Sequence, residues 1–583
     1  MHSQAIPTIG TIRYLSTFLA QTDFRNSEPS KSKHLSSGMR FLGHISTMLS
    51  LGVSNGLGVA VTGQLEKDGA KAIIVVSKNS YHSSGQEPFH IEPTSVIATK
   101  FEPKDIQYLT KDHDKPVSFV QHVQDLIGVL ELSLKSEVHP MHVAHWLVHR
   151  CHRKLSFRLQ RLEREWKTSP TATMKVWEPT DLDRKYIESQ ARTLDILEGK
   201  PYQVALKKAH ITTITLDSVK SAKMFICGMA NLIDLLHKLL GAERSKGSRF
   251  EDIEDAFMIL MTLEVILDED TIHHIITKSS LSNNFQPRNT CDEGRFLIPR
   301  YYESFLTKTI GTTQSAEMES ELNMNDSEDL DDDDDEVAGT SQFPDETRGE
   351  QVFRYMRTLT AWITASRIVI GVLRKLEKPL SASIVTLNDY SREAVSQMKD
   401  LQNEIVDQLK AGLIDSTWLD RQVKKFDKSL VEETVKAPRV HAEAGLMALA
   451  MVARDGTMNI KSQEVKEIFM ADPILVGAGK KCCYMCSVLR QVLSAGDKDD
   501  FNKVNMQLPG THGRMLSWDP PQFGVSQSVL DELANNLKQQ VIKVAERNAP
   551  DQTGTQQSSP ASSNRETTYM RMSEDIPGLP GFK

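Results

Sequence analysis

The chain has 583 residues, long enough to bury more than one hydrophobic core, so two or more domains are expected. With 39% hydrophobic and 25% charged residues it has a globular composition, and a formal charge of −8 excludes a generally polybasic, nucleic-acid-coating chain. Six cysteines in this length build no disulfide framework, which points to a reducing, intracellular compartment, cytoplasmic or nuclear.

Much of the negative charge sits in one run, "DSEDLDDDDDE", Asp326 to Glu336, and the remainder is close to neutral. No stretch reaches the ~18 uninterrupted apolar residues expected of a membrane-spanning helix. The best candidate, "LTAWITASRIVIGVL", is broken by Arg367 and reads as a buried helix. The N-terminus lacks a charged segment followed by an apolar block, so no secretory signal is expected. Its opening stretch carries Arg13, several Ser and Thr and no acid, which leaves organelle import open; an ordinary helix explains it as well.

In chain order, residues 1–50 read as an N-terminal helical segment. Residues 51–80 contain "LGVAVTGQLEKDGAKAIIVVSKN", two β-branched runs around Asp68-Gly69, the dipeptide that supplies the positive φ angles of a hairpin turn. Residues 81–310 read as mainly helical. Within them Val219 to Leu240 is apolar over most of its surface, with Asp217 and Ser218 as caps and Gly241 as a stop, which predicts a central core helix. His142, His145, His149 and His152 form one stripe along a helix. No acid or thiol joins them, and the reading is a packed or pH-sensitive face rather than a metal site. The continuation, "HRCHRKLSFRLQRLEREWK", is a basic amphipathic helix, read as a salt-bridged surface face in preference to a nucleic-acid contact.

Residues 311–350 are rich in Ser, Thr, Asp and Glu and poor in large apolar residues, so they read as a disordered acidic linker. Residues 351–436 read as helical, and 546–583 as a disordered tail. Residues 437–545 alternate instead. "VHAEAGLMALAMVA" predicts a helix, "DPILVGAGKK" a short buried strand and "CYMCSVLRQVLSAG" a second helix. "GRMLSWDPP" then predicts a strand, and Val529 to Ala545 a closing helix.

The chemistry concentrates in "GKKCCYMCSVL" and "VHAEAGL". Cys483 and Cys486, spaced i and i+3 at a helix start, point the same way, and the unpaired N–H groups there favour thiolates. Alone, such a pair is undecided between a redox dithiol and half a zinc site. From Val440 to Ala453 only His441, Glu443 and Gly445 interrupt an apolar run, and a charge there is costly unless paired or bound. One imidazole and two thiolates make a three-ligand zinc site with an open position, and Glu443 stands beside it without ligating.

The motifs "RVHAEAGLM", "VGAGKKCCYMCSVL" and "GTHGRMLSWDPP", in this order, resemble the cytidine-deaminase-like superfamily, and within it the zinc deaminases expanded in fungi with bacterial toxin-type relatives. The resemblance covers roughly Pro438 to Leu537. It implies Zn2+ held by His441, Cys483 and Cys486, and Glu443 as general acid/base moving a proton from zinc-activated water to the ring and the leaving amine. It implies a nucleobase-containing substrate, free or within nucleic acid. "GTHGRMLSWDPP" adds substrate-contact candidates: His512, which otherwise caps a loop, Arg514, by default an exposed strand-edge arginine, and Trp518, more often a core residue than a stacking platform. The family's usual Pro before the first cysteine is Cys482 here, read as packing. The implied fold is an α/β three-layer deaminase-like domain, a mixed sheet flanked by helices. It implies a hairpin in that sheet; the good candidate is Val59–Ser77. The expectation is that this hairpin pairs with Ile474–Ala478 and that the large, mainly α-helical region is inserted between them. The alternative is a non-catalytic, zinc-stabilised interaction protein on the same fold.

Overall fold

The structure is a computed structural model and describes residues 5–22, 24, 36–51, 58–65, 72–79, 94–102, 117–134, 138–164, 166–241, 249–287, 347–375, 380–387, 391–431, 438–456, 462–479, 481–495, 504–511 and 513–548. Among them helices predominate. The strands are β1 (Val59–Leu65), β2 (Ala72–Asn79), β3 (Thr94–Ser95), β4 (Arg192–Thr193), β5 (Thr215–Leu216), β6 (Leu380–Leu387), β7 (Ile474–Ala478) and β8 (Met506–Gln507). Six form one mixed sheet in the order β3-β6-β2-β1-β7-β8, while β4 and β5 make a separate two-residue ribbon.

β1 and β2 are the hairpin read from the sequence, paired antiparallel from Val59 opposite Lys78 to Leu65 opposite Ala72. The Asp68-Gly69 turn lies outside the described residues. The other edge of β1 pairs antiparallel with β7, with Ala60 opposite Ala478 and Thr62 opposite Val476. The Thr62 hydroxyl also donates to the Leu475 carbonyl at 2.7 Å. The hairpin and Ile474–Ala478 therefore lie in one sheet, although Thr62 and Leu475, which meet there, are 413 residues apart in sequence.

Both faces of the sheet are covered, so its strands carry apolar residues on both sides. Val59, Val61, Leu380, Ala382 and Ile384 join the first core, with helices Ser37–Leu49, Phe119–Leu134 and Ala361–Leu373. Ala60, Val385, Ile474 and Val476 join the second, with helices Ala442–Asp455, Gln463–Met470 and Tyr484–Ala495. Helices Ala5–Gln21, Ser391–Ala411, Thr417–Val431 and Gln527–Arg547 complete the second core; the mainly helical region from 119 to 285 builds most of the first. The sheet is thus the middle of three layers.

Helix Ser37–Leu49 approaches β7 closely because Gly477 has no side chain. A Cβ there would stand 2.4 Å from the Leu42 carbonyl carbon and 2.5 Å from the Gly43 nitrogen. The central helix Val219–Leu240 has the bounds its sequence dictates: Ser218 accepts from the Ser221 N–H, and the Gly241 N–H donates to His237.

Three expectations need correction. Residues 351–436 are not wholly helical, because Leu380–Leu387 is strand β6, parallel to β2 with Ala72 opposite Leu380. "LSASIVTL" alternates between the two cores, a period-2 signal that the apolar helix before it obscures. The acidic run Asp326–Glu336 lies outside the described residues, yet helix Arg348–Leu359 begins inside the stretch read as linker. Thr347 and Glu350 cap it reciprocally. Residues 513–521 form no strand, only single bridge positions at Arg514 and Trp518, the latter paired with Arg439. Their backbone groups find four different partners: the Arg514 carbonyl takes the Tyr484 N–H, while the N–H groups of Met515, Trp518 and Asp519 go to Phe24, Ser16 and Arg439.

Among the described residues no single helix is long and apolar enough to cross a membrane; Arg348–Leu359 and Ala361–Leu373 pass that test only as a pair bent by 64°.

Gly477→Ala pushes a Cβ into backbone, which no rotamer change relieves. We expect a loss of roughly 1–3 kcal/mol, the range for overpacking a filled core, read from the urea midpoint of unfolding.

Candidate metal centre

Helix Ala442–Asp455 is apolar around nearly its whole circumference, so it sits deep in the second core and carries its polar residues with it. His441 is its N-cap residue, in extended conformation (φ −75°, ψ 149°), and its side chain makes no capping bond. The ring turns instead toward the start of helix Tyr484–Ala495. Its Nδ1 lies 3.2 Å from Cys483 Sγ and 3.6 Å from Cys486 Sγ. Cys483 immediately precedes that helix and Cys486 sits in its first turn, where its N–H donates to Cys483 Sγ at 3.4 Å. Both sulfurs are buried.

The three donor atoms lie within 4.8 Å of one another. Zinc bonds of about 2.3 Å to sulfur and 2.1 Å to nitrogen, at a tetrahedral angle, separate sulfur from nitrogen by about 3.6 Å. The observed spacings match that separation, and imidazole with two thiolates is a donor set zinc prefers. The residues fit the metal.

Electrostatics separate the three neighbouring cysteines. Burial would raise the Cys483 thiol, but hydrogen bonds from Cys486 and His441 and the imidazole charge outweigh it and hold Cys483 well below the ordinary thiol range. Cys486 is pushed up, first by burial, then by its bond to Cys483 and by the charges of Cys483 and Glu443. Cys482 is also raised, by burial, Glu443 and Cys483, and its thiol donates to the Gly510 carbonyl at 3.0 Å. A thiol kept protonated and aimed at a backbone carbonyl is a packing residue, and Cys482 stands off the ligand set.

Glu443 lies two residues beyond His441, in the first turn of the same helix, and is 8% exposed. Its charge acts on both Cys482 and Cys486, which puts the carboxylate beside the sulfur cluster. The Arg514 carbonyl accepts from the Tyr484 N–H at 3.0 Å, so the half-buried Arg514 hangs directly on the cysteine helix. His512 lies outside the described residues.

Trp518 takes the core reading and not the stacking one. It is fully buried, its N–H and carbonyl both engage the Ser16 hydroxyl, and helix Ala5–Gln21 covers it. Next to it Asp519 takes a bidentate Arg13 at 2.8 and 2.9 Å, and the Asp519 N–H donates to the Arg439 carbonyl, two residues before His441.

A second convergence was not foreseen. Glu254, from helix Phe250–Leu267, reaches His145 and His149 of the histidine stripe on helix Pro140–Arg164. More than a hundred residues lie between them, and "FEDIED" carries no local sign of the meeting. The stripe does not act as one face: His142 is exposed, and His152 Nδ1 donates to the His149 carbonyl at 2.9 Å.

Comparison with protein families, with curated proteins and with solved structures finds no match to this chain.

With cobalt(II) as a zinc substitute, Cys483→Ala is expected to abolish the near-ultraviolet thiolate-to-cobalt absorption of the wild-type chain. Cys482→Ala is expected to leave its intensity and position unchanged. A band lost equally in both variants would place Cys482 among the ligands.

Proposed function

We propose that this chain is a zinc-dependent hydrolytic deaminase acting on the amine-bearing carbon of a nucleobase, whether free, in a nucleoside or nucleotide, or in nucleic acid. The observation that carries the reading is Glu443: a buried carboxylate two residues from an imidazole that meets two sulfurs. A purely structural zinc site has no need of a carboxylate beside its donor atoms. The sheet adds support. The hairpin β1–β2 shares a sheet with β7, as the resemblance to the deaminase-like superfamily requires, and helix Ala442–Asp455 packs on the same face as the cysteine helix.

His441 through Nδ1, and Cys483 and Cys486 through their sulfurs, would hold the metal. Zinc in such a site supplies Lewis acidity, which brings the pKa of water down to about 7. The remaining steps belong to the chain. The Glu443 carboxylate takes a proton from the attacking water as a C–O bond forms at the amine-bearing carbon. It returns that proton to the adjacent ring nitrogen, then carries the proton of the newly attached hydroxyl to the exocyclic amine as the C–N bond breaks and the C–O becomes a carbonyl. One water is consumed and one ammonia released. The apolar wall of helix Ala442–Asp455 limits bulk water around Glu443, which strengthens each charge it meets.

The test is ammonia release from a panel of cytosine- and adenine-containing bases, nucleosides and single-stranded nucleic acids. Wild type is expected to deaminate at least one member. Glu443→Gln, nearly isosteric, should keep its zinc and lose at least ~100-fold in rate, the smaller end of what a general acid/base contributes. Full zinc content with no ammonia from any member would favour the alternative, a zinc-stabilised interaction protein.

A further inference from the structure

The meeting of His145, His149 and Glu254 is independent of the cysteine centre. It belongs to the helical region, on the first core, whereas the cysteines belong to the second. His145 Nε2 lies 2.7 Å and His149 Nε2 3.1 Å from a single oxygen, Glu254 Oε1. The i,i+4 spacing sets the two imidazoles one above the other on one helix face, their ring centroids 4.6 Å apart. The three donor atoms lie within 4.8 Å of one another.

We propose that His145, His149 and Glu254 form a second divalent-metal site, of the zinc class, that ties helix Pro140–Arg164 to helix Phe250–Leu267.

Donor chemistry is the first support. Two imidazoles and a carboxylate suit borderline first-row cations such as zinc, and leave a further position for water. Preorganisation is the second. The Phe257 ring packs on His145 at 4.7 Å and the Phe250 ring on His149 at 4.9 Å, so both imidazoles are braced by aromatic neighbours from the helix that supplies Glu254. Both braces and the carboxylate come from about two turns of a single helix, which makes the opposing surface rigid. Access is the third. His149 is buried, but the side chains of His145 and Glu254 are 22% and 37% exposed, which opens the cluster to solvent on one side only. The set differs from the cysteine centre in containing no sulfur, and this makes the two separable by spectroscopy.

The experiment uses the full chain, stripped with a chelator and titrated with cobalt(II) and with zinc. Wild type is expected to take up two ions per chain, one with the thiolate-to-cobalt band and one without it. The double variant C483A/C486A should retain one ion with only the weak bands of nitrogen and oxygen ligation. E254Q, which preserves side-chain size at a partly exposed position, should keep the thiolate band at full intensity and bind the second ion at least ~10-fold more weakly, the lower end of the loss seen even when a group behind a ligand is removed. Because the thiolate band reports on the cysteine centre in the same sample, E254Q also tests the site should the double variant fail to fold. A wild-type chain saturated when the thiolate band saturates, or an E254Q chain with undiminished uptake of the sulfur-free ion, would overturn the proposal.

Discussion

The pairing of Ala60, Val61 and Thr62 with Val476, Gly477 and Ala478 is the contact on which the cysteine centre depends. It joins chain ends that sequence holds far apart, and it sets where β7 stops. From that point only four residues lead to Cys483. The exit of β7 is fixed by one hydroxyl: Ser46 donates to the Val59 carbonyl at 2.8 Å and accepts from the Gly479 N–H at 3.0 Å. Ser46 can reach both strands only because helix Ser37–Leu49 lies almost against β7 at Gly477. A one-residue slip between β1 and β7 would turn Gly477 away from the helix and exchange the residues facing the two cores. The register of a three-residue contact therefore positions the sulfurs.

The imidazole is located from the other side of the molecule. Asp519 holds the Arg439 carbonyl through its own N–H, and Arg13 holds Asp519 by two short charge-assisted bonds, with both side chains almost fully buried. Burial pushes the Asp519 carboxyl up and Arg13 acts against it. A buried pair of this kind contributes little net stability, but removing one partner leaves an uncompensated charge at a cost of about 3–5 kcal/mol. Its value here is geometric. It ties helix Ala5–Gln21 to the residue pair that precedes His441, so the N-terminal helix, β7 and the cysteine helix converge on one cluster of donor atoms from different parts of the chain.

What could be read in the sequence was what local chemistry decides. Ser218 and Gly241 end their helix by capping, and Cys483 and Cys486 share a side by helical spacing; neither depends on distant partners. The hairpin was legible for the same reason, through its β-branched runs. Features settled by remote packing were not. "LSASIVTL" becomes a strand because β2 offers it a free edge. Trp518 is core, as its apolar surroundings in sequence suggest, but its cover, helix Ala5–Gln21 some 500 residues earlier, is set by remote packing alone. The strand expected at "GRMLSWDPP" gave way to an irregular segment once its backbone groups found four separate partners. Glu254 joined the histidines through the packing of two helices, which no motif announces.

The helical region is more than a spacer between the hairpin and the cysteines. It contributes β6 and β3 to the same sheet, at the edge beyond β2. It also closes the C-terminal end of helix Ser37–Leu49, whose last carbonyls have no partner within the helix. His122 Nε2 donates to the Met48 carbonyl at 3.0 Å. Burial and then the Arg150 charge lower the pKa of His122 to about 4, so it does so as a neutral ring at ordinary pH. Cys151, its thiol pushed up to about 12 mainly by burial, stays protonated and reaches the Ser50 carbonyl at 3.6 Å. Cys151 belongs to the helix that carries His145 and His149, so the ion-binding cluster proposed there braces the element that braces Ser46. Contact of this kind is not coupling in itself, which needs an element with two arrangements. It does explain why two unlike sets of polar side chains can each be held in place: each is backed by a core of its own, and helix Ser37–Leu49 is keyed by hydrogen bonds both to the strands that lead to the cysteines and to the helix that bears the histidines.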